Sequence, residues 1–172
     1  RGVLRDPATH AVLALGIPQI IAWGTTLYAL GVLATSYTFT AHMGWSDPAK
    51  ATPTAERAAM AAIAADSEDP WAHAALGHVY LFGRRFDDSL AEYELALRLN
   101  PNFSLAQGFH GLSLAYSGRW QEGDEAVRRA LRLSPRDPYA AVYLGIAAYS
   151  HYLGAQYQEA IRLSREAIRQ RA

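Results

Sequence analysis

Six histidines are the side chains in this chain best suited to hold a metal or move a proton: His10, His42, His73, His78, His110 and His151. Two ligands on one helix must sit three or four residues apart to share a face. His73 and His78 are five apart, and neither a His-Glu-x-x-His pattern nor a cysteine pair occurs, so no metal site is expected. Asp87-Asp88, Glu92 with Glu94, and Asp124-Glu125 could pair for general acid–base work. Arginines lie close to each of them, which is the pattern of a solvated helix face. There is no Gly-x-Ser-x-Gly, no phosphate loop and no Gly-x-Gly-x-x-Gly. The sequence predicts no catalytic residue, no cofactor and no small-molecule substrate.

The elements that carry these residues are read from composition and periodicity. The chain has 172 residues, half of them apolar, and a formal net charge of zero. That balance gives no electrostatic case for nucleic acid or an anionic membrane surface. With no cysteine, disulfides and thiolate metal sites are excluded. Lys50 is the only lysine against many arginines, and alanine is abundant, which reads as a GC-rich, bacterial coding bias. The chain begins without methionine and ends inside a helical pattern, so a fragment of a longer protein is expected.

Ala11 to Ala41 carries no charged residue. About 20 mostly apolar residues can span a hydrocarbon core, and glycine and proline are tolerated there. The segment 1–33 is therefore set apart as a hydrophobic N-terminal helix, with residues 11–33 a candidate membrane anchor. The alternative is a buried helix docked on the helices C-terminal to it. The phrase from Pro18 to Tyr28 resembles the first membrane helix of a major-facilitator transporter. A truncated transporter start fused to another domain is thus a second reading.

From Pro70 to Pro135 the sequence repeats itself. Leu76-Gly77, Tyr80, Tyr93, Ala96 and Pro101 recur as His110-Gly111, Leu114, Val127, Ala130 and Pro135, each 34 residues later. Such a period with helix-turn-helix patterning resembles the tetratricopeptide repeat family. The resemblance implies an all-α solenoid of antiparallel helix pairs over residues 34–172, about three to four pairs. Helices are expected over Pro70–Phe82, Phe86–Leu99, Ser104–Ser117 and Trp120–Leu133. A further pair is expected to begin near Pro138. Its interval from Gly145 to Ala160 is 15 residues, against 12 from Gly77 to Ser89 and from Gly111 to Gly123. The extra three are placed near Ser150–Gly154. An earlier pair has its second helix at Thr54–Ala65, after the breakers Ser46-Asp47-Pro48 and Thr52-Pro53-Thr54, and its first between Leu30 and Met43.

The resemblance further implies that Gly77, Gly111 and Gly145 sit where paired helices cross, opposite Ala96, Ala130 and Ala167. It implies an inner groove formed by Trp71, His78 and Phe82, then Leu105, Leu112 and Tyr116, then Tyr139, Ile146 and Tyr149. None is a lysine, arginine or asparagine, so the carboxylate-binding mode of some relatives does not extend here. The occupant expected is a protein or peptide with an apolar or aromatic segment.

The stretches Tyr80–Asp87 and Arg132–Pro138 are also similar to repeat regions of bacterial adenylate or guanylate cyclases and of some transcriptional regulators. That resemblance implies a non-catalytic interaction scaffold: a cytoplasmic regulatory arm of a larger signalling protein, with residues 11–33 as its candidate membrane anchor. A cyclase or regulator fragment is the alternative.

Overall fold

The computed structural model describes residues 28–171, which form eight helices and, among the described residues, no strand. The first, α1, is helical over residues 28–42. It is followed by α2 (Pro48–Ala65), α3 (Pro70–Phe82), α4 (Phe86–Leu99), α5 (Ser104–Tyr116), α6 (Trp120–Leu133), α7 (Ala140–Leu153) and α8 (Tyr157–Arg171). Neighbours pair as α1/α2, α3/α4, α5/α6 and α7/α8. Most of the expected hydrophobic run, residues 1–27, lies outside the described residues. Its described end is the start of α1, so the backbone is continuously helical across the expected boundary at residue 33. Among the described residues no helix is long and apolar enough to cross a membrane.

Helix starts follow local chemistry. Asp47 accepts from the Ala49 N–H and Asp69 from the Trp71 N–H, each with proline at the first helical position. The break expected at Thr52-Pro53-Thr54 does not occur, since α2 runs through Pro53. A proline there removes one donor, to the carbonyl of Ala49. Both residues are exposed, so water can replace the lost bond.

Three turns within the pairs are copies. Arg84, Gly118 and Ala155 all have positive φ, at 63°, 81° and 57°. Around them the same backbone bonds recur: Arg85 N–H to Tyr80, Arg119 N–H to Leu114, Gln156 N–H to His151. The first two turns are 34 residues apart and the next two 37. The connections between pairs keep the shorter spacing: Asp69 bonds Asp66, Phe103 bonds Asn100 and Asp137 bonds Ser134. The three extra residues therefore lie after Asp137, at Pro138–Ala140, and not near Ser150–Gly154 as expected. Pro138 and Tyr139 form an added turn, and α7 is one residue longer than α5. Asp137 holds that turn, accepting from the Tyr139 N–H at 2.9 Å and from the Ser104 hydroxyl at 2.8 Å.

This shift moves the close crossings. A β-carbon on Gly111 would fall 2.7 Å from the Gly123 carbonyl oxygen, and one on Gly77 would meet the Tyr93 ring at 3.2 Å. Around Gly145 nothing would lie within 4 Å. Gly145 is thus not at a crossing, and with a 37-residue offset its place there is taken by Ala148, which is buried. The nearest neighbours of Gly77 and Gly111 are Tyr93, Gly123, Val127 and Ala126 and not Ala96 and Ala130 as expected; Ala96, Ala130 and Ala167 belong to a common apolar core with Tyr93, Val127 and Tyr143. A second cluster joins Ala34 of α1 to Ala55 and Ala59 of α2 and to Leu76 and Val79 of α3. Small residues on α1 and α2 let those helices approach closely.

Candidate protein-binding groove

The first helices of the four pairs, α1, α3, α5 and α7, line one cavity of about 1030 Å³. Eight of the nine residues expected to form a groove border it: Trp71, His78, Phe82, Leu105, Leu112, Tyr116, Tyr139 and Ile146. Tyr149 lies beyond its edge, with its ring 5.3 Å from that of Tyr116. They are not equivalent. Tyr116 and Tyr139 are 40% and 46% exposed, whereas His78 and Ile146 are buried and form the floor.

The 37-residue offset explains the position of Ile146. Val142 and Tyr149, not Tyr139 and Ile146, are the structural counterparts of Leu105 and Leu112. Val142 borders the cavity and was not foreseen. Phe39 and His42 of α1 and Met43 just after it also border the cavity and were not foreseen, because α1 carries no recognisable repeat wording. The same offset relates Ser113 and Ser150: both are fully buried, 37 residues apart, and each hydroxyl lies within 3.3 Å of the carbonyl four residues back.

The wall is built from ring contacts. Trp71 packs against Tyr28 at 5.8 Å and Phe103 at 5.5 Å. His42 lies 4.3 Å from Phe82, and His78 lies 4.8 Å from Phe82 and 4.5 Å from Phe109. At the turn end Phe86 stacks on Tyr116 at 5.1 Å, and Tyr149 continues the row to Tyr152 and Tyr157. Burial, helped by nearby His42, lowers the His78 pKa to about 4, so the imidazole is neutral at ordinary pH. Its Nδ1 lies 3.2 Å from the Tyr93 hydroxyl. The charged side chains at the cavity are Arg136 and Asp137 on its rim.

Several other chemistry-bearing residues tie helices together. His73 bridges the Glu92 carboxylate at 2.7 Å and the Ser67 carbonyl at 3.0 Å, fixing α3 to α4 and to the preceding turn. His151 of α7 lies 3.3 Å from Asp124 of α6. Asp88 and Asp124 accept from Arg85 and Arg128, each at 2.7 Å. These are exposed helix pairs of small energetic weight. Among the described residues no group of three His, Asp or Glu is placed to hold a metal.

No family model matches the chain. Two curated relatives match about half of it, each named a peroxisomal targeting signal receptor. The Candida glabrata protein is 34% identical over 83 residues, 48% of this chain and 14% of the receptor. The Saccharomyces cerevisiae protein is 36% identical over 80 residues, 46% of this chain and 13% of the receptor. Among solved structures, MamA superposes with a TM-score of 0.59 at 15% identity, covering 88% of this chain and 86% of that one. A tetratricopeptide repeat protein from Parabacteroides merdae gives 0.59 at 15% identity, covering 82% and 52%. The chain has the tetratricopeptide-type helical-repeat fold.

Proposed function

We propose that this chain is a non-catalytic scaffold whose inner groove binds a protein segment rich in apolar or aromatic residues. The observation that carries the reading is the single cavity bordered by first helices of all four pairs, with an uncharged wall and a neutral histidine in its floor. A helix laid in such a groove would bury aromatic anchors against Trp71, Phe82 and Tyr116. The relatives named as targeting-signal receptors favour a peptide ligand over a small molecule.

The finer reading, a regulatory arm of a larger bacterial signalling protein with residues 11–33 as a membrane anchor, is supported by the sequence resemblances and by the uncharged run from Ala11. For the groove, the test is affinity for an identified partner. Tyr116→Ala and Tyr149→Ala should each weaken binding by about 2 kcal/mol, with little change between low and high salt. Wild-type affinity in both folded variants would reject the groove. A steep loss with salt would move the site to the arginines Arg84, Arg85, Arg128 and Arg129.

A further inference from the structure

Helices α5 and α6 border a crevice of about 590 Å³ that shares no residue with the inner groove. Gln107, His110 and Leu114 of α5 form its floor, and Glu122, Glu125, Arg129 and Arg132 of α6 form its wall. The two helices are antiparallel, so Gln107 lies toward the arginines and Leu114 toward the glutamates. Gln107 is only 7% exposed, yet its carboxamide bonds no other described residue. Both ring nitrogens of His110 are buried and without a partner among the described residues. Burial lowers the His110 pKa, which favours a neutral ring with one donor and one acceptor.

The repeat itself does not require polar groups at these positions. One pair earlier the counterpart of Gln107 is His73, held by Glu92 and the Ser67 carbonyl, and that of His110 is the buried Leu76. One pair later, at the 37-residue offset, the counterparts are Leu144 and Ala147, both buried. Of these three pairs only α5/α6 has a polar floor that the protein does not satisfy, and shielded polar groups are costly unless bonded. The wall is charged in two halves. Glu122 is held by Arg119 at 2.8 and 2.6 Å, while Glu125, Arg129 and Arg132 form no ion pair among the described residues. From Glu122 to Arg132 the helix rises about 15 Å, the length of about four or five residues of extended chain.

We propose that this crevice binds an extended acidic segment of a partner protein. One carboxylate sits between Arg129 and Arg132. The adjoining peptide group pairs with the Gln107 carboxamide, each donating to the other, and His110 takes the next peptide group along. Glu125 repels a second acid, so the acidic residue lies at the C-terminal end of α6. A simple anion would use the arginines alone and an apolar segment neither half. The site stands or falls independently of the inner groove.

The probe is N-acetylglutamate N-methylamide, one carboxylate between two peptide groups, titrated into the isotope-labelled full chain and followed by NMR chemical shifts. Saturable shifts centred on Gln107, Arg129 and Arg132 are expected. Gln107→Leu, the residue type the next pair carries at Leu144, should weaken binding about fivefold. Arg129→Gln combined with Arg132→Gln, both exposed, should weaken it about tenfold or more. If Gln107→Leu loses helical signal, acetate replaces it: wild type should bind the capped glutamate about fivefold more tightly than acetate. Equal binding of acetate would leave only an anion at two arginines and overturn the proposal. Equal binding of N-acetylglutamine N-methylamide would show that the carboxylate is not read and overturn it too. So would the absence of saturable shifts, or shifts centred on Phe82 and Tyr116 in the groove.

Discussion

Gly111 and Gly123 meet backbone to backbone: a β-carbon built on either would fall 2.7 Å from the carbonyl oxygen of the other. This is the tightest approach between α5 and α6, and no side chain can yield there. Gly111→Leu should cost at or above the upper end of the about 1–3 kcal/mol typical of overpacking. A fall in melting temperature of several degrees is expected by circular dichroism. Gly145→Ala is the opposite case, since nothing opposes its β-carbon and alanine favours the helix by about 0.5–1 kcal/mol. Equal destabilisation by both would contradict the 37-residue register.

Ser89 and Ser113 join consecutive pairs through hydroxyls 2.8 Å apart, both fully buried, while Ser89 also donates to the Gly77 carbonyl at 2.8 Å. Ser89→Ala removes two buried hydrogen bonds and leaves the Ser113 hydroxyl only its longer contact to the Phe109 carbonyl, a loss of about 1–3 kcal/mol. Ser113→Ala removes one of Ser89's two contacts and should cost less, about 1 kcal/mol. Urea titrations of both single variants and the double variant measure the coupling. A coupling indistinguishable from zero would reject the bond.

His78 makes stability depend on acid. Its folded pKa of about 4 lies below the ordinary 6.5, so between those values the unfolded chain binds more protons. Stability should be unaffected by this group above pH 6.5 and fall as pH drops toward 4, by about 3 kcal/mol in total. In His78→Leu, with the side chain that Leu112 supplies one repeat later, the decline over that window should be shallower than in wild type. Parallel pH profiles of the two proteins would contradict a neutral, buried imidazole.

Helix α1 is part of the folded unit. Ala34 is fully buried with Ala55, Ala59 and Val79, and His42 and Tyr28 contact Phe82 and Trp71. A chain of residues 46–172 would expose that apolar surface at about 25 cal/mol per Å². We expect it to melt several degrees lower than the full chain, or to aggregate. A soluble fragment of unchanged melting temperature would show that α1 contributes nothing to the core.

The repeat period and the middle helices were legible in sequence, because they are written in local chemistry. Pro70 behind Asp69 starts α3, Gly118 turns α5 into α6, and apolar residues three and four apart mark the buried faces; α3, α4 and α6 fall where expected. The first pair was partly hidden, since α1 lacks repeat wording and Pro53 reads as a breaker that exposure renders harmless. Tertiary structure alone decided where the last repeat gains its three residues. Asp137 binds both Ser104 and the added turn, and this interaction spans 33 residues, beyond any local pattern. The added turn that Asp137 holds shifts the register of α7, which moves Gly145 from a crossing to an open position, buries Ile146 and brings Val142 to the groove. A helix's periodicity says which residues share a face. Only its packing against two neighbours says which way that face looks.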